Sequence, residues 1–174
     1  MNAMNGSLAP PTITELPPTT RISLRTADPA AVASALGIKL PVKVGVRAAA
    51  GVRTALCLGP DEWLLEVPEA ESAMLAAALA DLAGRMPLSA VEISDREVTL
   101  ALAGRAVLDL LATGCPRDLA RMPVGSGART LFDTAQVVLT REGEDRFHLT
   151  VRRSYAPHVR ALLHIAVREL EIGL

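Results

Sequence analysis

The chain has 174 residues, half of them hydrophobic, with a formal net charge of −1 and an isoelectric point near 6.3. That length suits one domain or two very small ones, with enough aliphatic side chain to bury roughly 70% of the extended surface. Only Trp63, Phe132, Phe147 and Tyr155 are aromatic, so composition argues against disorder, against base-stacking readers of single strands, and against bulk attraction to nucleic acid or anionic membrane.

Residues 1–19 carry Pro10, Pro11, Pro17 and Pro18 among small polar residues, which predicts a flexible, Pro-rich lead-in. It has no basic residue before Arg21 and no apolar h-region, so a secretory signal is not expected. Residues 20–174 then read as a single α+β domain. Ile22 and Leu24 alternate with Arg21, Ser23 and Arg25 as a strand, and Asp28-Pro29 opens a helix that ends at Gly37. Val42, Val44 and Val46 predict another strand. Val52–Leu58, the turn Gly59-Pro60-Asp61 and Trp63–Val67 predict a hairpin. Leu75, Leu79, Leu82 and Met86 form one stripe of a helix over about 70–84.

The second half, from about residue 87, repeats the scheme. Val91 and Ile93, then Val98, Leu100 and Leu102, are strand faces. Val107, Leu108 and Leu111 predict a short helix stopped at Gly114. A loop through Pro116, Pro123, Gly125 and Gly127 leads into a hairpin, Arg129–Arg141 with Arg146–Arg153. Val159, Leu162, Leu163, Ala166 and Leu170 stripe a last helix. Gly37 and Gly114, two helix ends, stand 77 residues apart. The expectation is two βαββα-like halves, about 20–86 and 87–174, with an antiparallel or mixed sheet covered by helices.

Chemistry-bearing patterns are sparse. No phosphate-cradling glycine loop is present, because Gly125-x-Gly127 continues into Ala128-Arg129-Thr130. His148, His158 and His164 include no pair at helical ligand spacing, and Cys57 and Cys115 form neither a metal knuckle nor a disulfide framework. Two isolated cysteines suit a reducing cytoplasm. The longest apolar run, Ala73–Ala80, is eight residues, under half a membrane span.

Charge is unevenly spread. Gly59–Glu97 holds nine acidic and two basic residues, whereas Arg146–Leu174 holds five arginines against Glu169 and Glu171. The arginines gather near Tyr155 in Arg152-Arg153-Ser154-Tyr155-Ala156-Pro157-His158. Arg and Tyr are enriched at the centres of protein–protein interfaces. Arg152, Arg153, Tyr155, His158 and Trp63 are therefore the candidate partner surface, to be weighed against an ordinary solvated corner.

Five segments carry a family resemblance: Leu58-Gly59-Pro60-Asp61-Glu62-Trp63-Leu64-Leu65, Val91-Glu92-Ile93-Ser94-Asp95-Arg96, Gly114-Cys115-Pro116-Arg117-Asp118-Leu119, Arg129-Thr130-Leu131-Phe132 and Arg153-Ser154-Tyr155-Ala156-Pro157-His158-Val159. In this order they resemble the gamma-subunit family of heterotetrameric sarcosine oxidase. The resemblance implies a fold similar to the folate-binding domain of the glycine-cleavage T-protein family. It further implies a non-catalytic subunit that packs against an alpha subunit and, through it, joins beta and delta. In that family the complex oxidatively demethylates sarcosine to glycine. FAD, FMN, NAD and tetrahydrofolate are then expected in the partner subunits, with zinc on delta, and no cofactor or metal in this chain. The family usually shows Asp at the position of Glu92, His at that of Asp95, and often Cys near Ser126. These departures suit a packing subunit. The alternative is a stand-alone folate or pterin binder, for which Glu92 is the candidate contact to the pterin amino face.

Overall fold

The computed structural model describes residues 9–173. The lead-in predicted at 1–19 therefore lies outside the described residues over its first eight positions. Contacts within the chain divide it into two compact units. An N-proximal unit is built from Pro17–Glu97 with Gly125–Ala128, and a C-proximal unit from 9–16, Val98–Val124 and 129–173.

The N-proximal unit contains strands β2 (Thr20–Thr26), β3 (Arg47–Ala50), β4 (Arg53–Gly59), β5 (Glu62–Val67) and β6 (Leu88–Glu92), with helices α1 (Pro29–Leu36) and α2 (Ser72–Ala83). The strands pair antiparallel throughout in the order β3-β4-β5-β2-β6. Local chemistry sets α1: the Asp28 carboxylate accepts from the Ala31 amide at 3.1 Å, Pro29 occupies the first turn, and Gly37 closes the helix at φ 63°. Strand alternation sends Ile22, Leu24, Ala55, Cys57, Trp63, Leu65 and Val67 into one core with Val32 and Leu36 of α1. The predicted stripe Leu75, Leu79 and Leu82 of α2 is buried in the same core.

The C-proximal unit contains β1 (Thr12–Glu15), β7 (Glu97–Ala103), β8 (Gly127–Phe132), β9 (Ala135–Gly143) and β10 (Arg146–Arg152), with α3 (Val107–Ala112) and α4 (Ala156–Ile172). Its sheet order is β1-β7-β10-β9-β8. Leu100, Leu102, Phe132, Leu139, Phe147 and Leu149 pack with Val107, Leu110 and Leu111 of α3 and Val159, Leu163 and Ala166 of α4. The order β8-β9-β10-β7 repeats β3-β4-β5-β2. The fifth place, filled in one unit by β6 after α2, is filled in the other by the N-terminal β1. The expected architectural repeat is thus present with one strand drawn from the other end of the chain.

Four expectations differ from the structure. Thr12–Glu15, inside the expected flexible lead-in, is a strand whose Ile13 opposes Leu102 across an antiparallel ladder. β6 pairs with β2, so the units divide at Glu97/Val98 rather than near residue 87. Val42, Val44 and Val46 do not make a strand: Gly45 turns at φ 87°, the Val46 amide bonds the Lys43 carbonyl at 3.0 Å, and only Val46 makes a bridge, to Ser126. The segment read as a single strand from Arg129 to Arg141 is broken in two at Asp133, which holds φ 53° in a turn.

Candidate functional site

The corner from β10 into α4 is built by short-range bonds. The Tyr155 amide bonds the Arg152 carbonyl at 2.9 Å, and the Val159 amide bonds the Tyr155 carbonyl at 3.0 Å. Ala156 and Val159 anchor the corner in the core, while Arg152, Arg153, Tyr155 and His158 remain exposed. Four of the five residues read as a partner surface therefore occupy one exposed corner.

His158 is held in place from another element. Its Nε2 lies 3.0 Å from Asp133 Oδ2, and the Asp133 amide donates to the Gly114 carbonyl at 2.8 Å. The bond from His158, with smaller help from Thr134, holds the Asp133 carboxyl below the usual aspartate range. Asp133 was not visible as a site residue in the sequence, since it stands 25 positions from His158. Its only local sign is a residue that tolerates positive φ following Phe132.

Beside the corner runs an open groove of about 490 Å³, lined by Glu15, Val98, Arg153, Ala156, Pro157, Arg160, Ala161 and His164. Arg160 Nη2 pairs with Glu15 Oε2, while its Nε is buried without a hydrogen-bond partner among the described residues. Arg160 and His164, four positions apart on α4, share one helical face, and Arg153 reaches the same groove from the turn before the helix.

Trp63 is not part of this surface. It is 1% exposed in the N-proximal core and its indole donates to the Pro41 carbonyl at 2.7 Å. Strand alternation in β5 turns it toward α1 and α2, because it pairs with Leu24 and Cys57, both core residues. Phe132 and Phe147 are also buried, so three of the four rings serve packing rather than docking. Phe147 carries the Arg141 guanidinium 5.4 Å above its ring. Arg141 in turn donates to the carbonyls of Leu119, Ala120 and Met122, which ties down the loop after α3.

Glu92 ends β6. Its carboxylate accepts from Ser94 Oγ at 2.8 Å, and Ser94 Oγ accepts from the Arg21 amide at 3.0 Å. This chain of bonds accounts for the Glu92-Ile93-Ser94 motif as a strand lock. The same side chain stands on a smaller groove of about 200 Å³ lined by Ile22, Leu79, Leu88 and alanines of α2. Cys57 is buried, and burial pushes its thiol up. Among the described residues no three His, Cys, Asp or Glu side chains gather as a metal site, and no helix is long and apolar enough to cross a membrane.

Two five-stranded α+β units of this topology define a protein of the glycine-cleavage T-protein fold class. The chain superposes on aminomethyltransferase T from Bartonella henselae with a TM-score of 0.64, over 97% of this chain and 52% of that one. At 17% identity this likeness shows the fold alone. Within that class the chain belongs to the sarcosine oxidase gamma subunit family, whose profile matches residues 24–169. It is 37% identical over 132 residues to sarcosine oxidase subunit gamma of Corynebacterium sp. (strain P-1), covering 74% of this chain. The match spans 64% of that relative, just under two thirds of its length. A chain of the heterotetrameric sarcosine oxidase from Corynebacterium sp. U-96, solved in complex with pyrrole 2-carboxylate, superposes with a TM-score of 0.82 at 31% identity. That superposition covers 92% of this chain and 85% of the other. The family anticipated from the five ordered motifs is the one found.

Proposed function

We propose that the chain is the non-catalytic gamma subunit of a heterotetrameric sarcosine oxidase-like complex in the cytoplasm. In that complex it packs against the alpha subunit and, through it, joins beta and delta. The oxidative demethylation of sarcosine to glycine is carried by the partner subunits, which hold FAD, FMN, NAD and tetrahydrofolate. The observation that carries this reading is the superposition over 92% of the chain on a subunit of a solved heterotetrameric sarcosine oxidase.

The exposed β10–α4 corner supports a docking role, because two arginines and a tyrosine stand together on buried anchors. Arg152, Arg153, Tyr155 and His158 are the residues assigned to it. The test is co-expression of the tagged chain with the alpha, beta and delta subunits encoded in the same genome. Co-purification of all four, with sarcosine-dependent peroxide formation, is the expected result. Failure of the folded chain to retain alpha would overturn the reading. So would saturable, micromolar tetrahydrofolate binding by the isolated chain, the behaviour of a stand-alone folate module.

A further inference from the structure

We propose that the groove beside α4 receives an acidic segment of the partner subunit, an inference that rests on the assembly reading above. Short side chains, Ala156 and Ala161 with Pro157 and Val98, are part of its lining, and about 490 Å³ is open beside the helix. That volume falls in the size range of natural ligand sites, yet the groove lies open beside the helix, a shape suited to a peptide. Its rim carries two arginines, Arg153 in the turn before α4 and Arg160 on the helix, with His164 one turn further on.

Glu15 is the one acidic side chain lining the groove, and it is already engaged by Arg160. The Arg160 Nε is buried without an acceptor among the described residues. The Arg160 side chain as a whole is 42% exposed, so its guanidinium can still meet an arriving carboxylate from the groove side. Val98, Ala156, Pro157 and Ala161 in the lining give such a segment apolar contact as well. Charge complementarity thus selects an Asp- or Glu-bearing peptide. A nucleic acid backbone would find few other cationic or aromatic contacts in a chain of net charge −1 with one exposed ring.

Two measurements on the full chain test this. In the first, the chain binds an alpha–beta–delta assembly prepared without it, across a salt series. Arg153→Glu with His164→Glu is expected to weaken association about tenfold or more and to flatten its salt dependence. Arg168→Glu, a charge reversal on α4 outside the groove lining, is the control and leaves both nearly unchanged. In the second, fluorescence anisotropy follows a labelled polyglutamate peptide, which binds the wild type and Arg168→Glu but not the double variant. Equal behaviour of the double variant and the control in both assays overturns the groove assignment while leaving the subunit reading intact. Absence of any wild-type association with the assembly overturns the subunit reading, and the peptide measurement then decides the groove alone. Tighter binding of an oligothymidylate of matched charge than of polyglutamate overturns the assignment to a peptide.

Discussion

Trp63→Phe separates a core tryptophan from an interface one. The indole is 1% exposed and donates a 2.7 Å bond to the Pro41 carbonyl inside the N-proximal unit. Phenylalanine keeps the six-membered ring but removes the N–H, leaving that carbonyl unpaired at about 1–3 kcal/mol. The missing ring atoms open a cavity of roughly 40 Å³, worth about 1 kcal/mol at 24 cal/mol per Å³. The expected loss is therefore about 2–4 kcal/mol, or a fall in Tm of about 5–15 °C for a chain of this size. Far-ultraviolet circular dichroism during heating and in urea reads this, since the variant no longer has a tryptophan to fluoresce. Below the transition the variant still binds the partner assembly with wild-type affinity. A loss under about 0.5 kcal/mol, the range of ordinary surface substitutions, together with weakened assembly, would refute the core placement.

Other outcomes follow from equally local geometry. Gly114→Ala places a methyl 2.9 Å from Phe132 Cζ, on a ring only 1% exposed; it is expected to cost about 1–3 kcal/mol, and an unchanged melting curve would contradict that contact. Deleting the residues before Pro17 removes β1, the Glu15–Arg160 ion pair and the packing of Ile13. Loss of about 1–2 kcal/mol and self-association through the bared edge of β7 are expected. Wild-type hydrogen-exchange protection at Leu100–Ala103 in a monomer would show β1 to be dispensable. Asp133 titrates below the usual range chiefly because of His158. A carboxylate depressed in the folded state contributes fully above its unfolded value, about 3.9, and loses that contribution as pH falls through the lower folded value. His158→Ala is expected to move the Asp133 carboxyl upward in a carbon-detected NMR titration; no movement would remove His158 as the cause.

How far the chain could be read depends on the range of each interaction. α1 was legible to the residue because its signals, Asp28, Pro29 and Gly37, act within a single turn of backbone. The stripes of α2 and α4 were legible because a helix repeats its buried face every three or four residues. The Val42-Val44-Val46 alternation misled, since period two says nothing of a turn at Gly45. At the candidate site, the corner Arg152–His158 was legible as a cluster in one stretch of chain. Asp133, Arg160 and Glu15 were not, because their partners lie 25 and 145 positions away.

The sequence by itself determined an aliphatic α+β protein, its helices and hairpins, and the family, through five ordered motifs whose identity survives without coordinates. Only the tertiary structure decided that β1 completes the C-proximal sheet and that Trp63 is core. It alone set Arg153, Arg160 and His164 around a groove with Glu15 at its edge. The reason is physical. Propensity, capping and periodicity are local and can be read along the chain. Strand partnering and burial depend on which distant segments cover one another, and a ring in a conserved-looking motif has the same sequence signature whether it faces a helix or a partner.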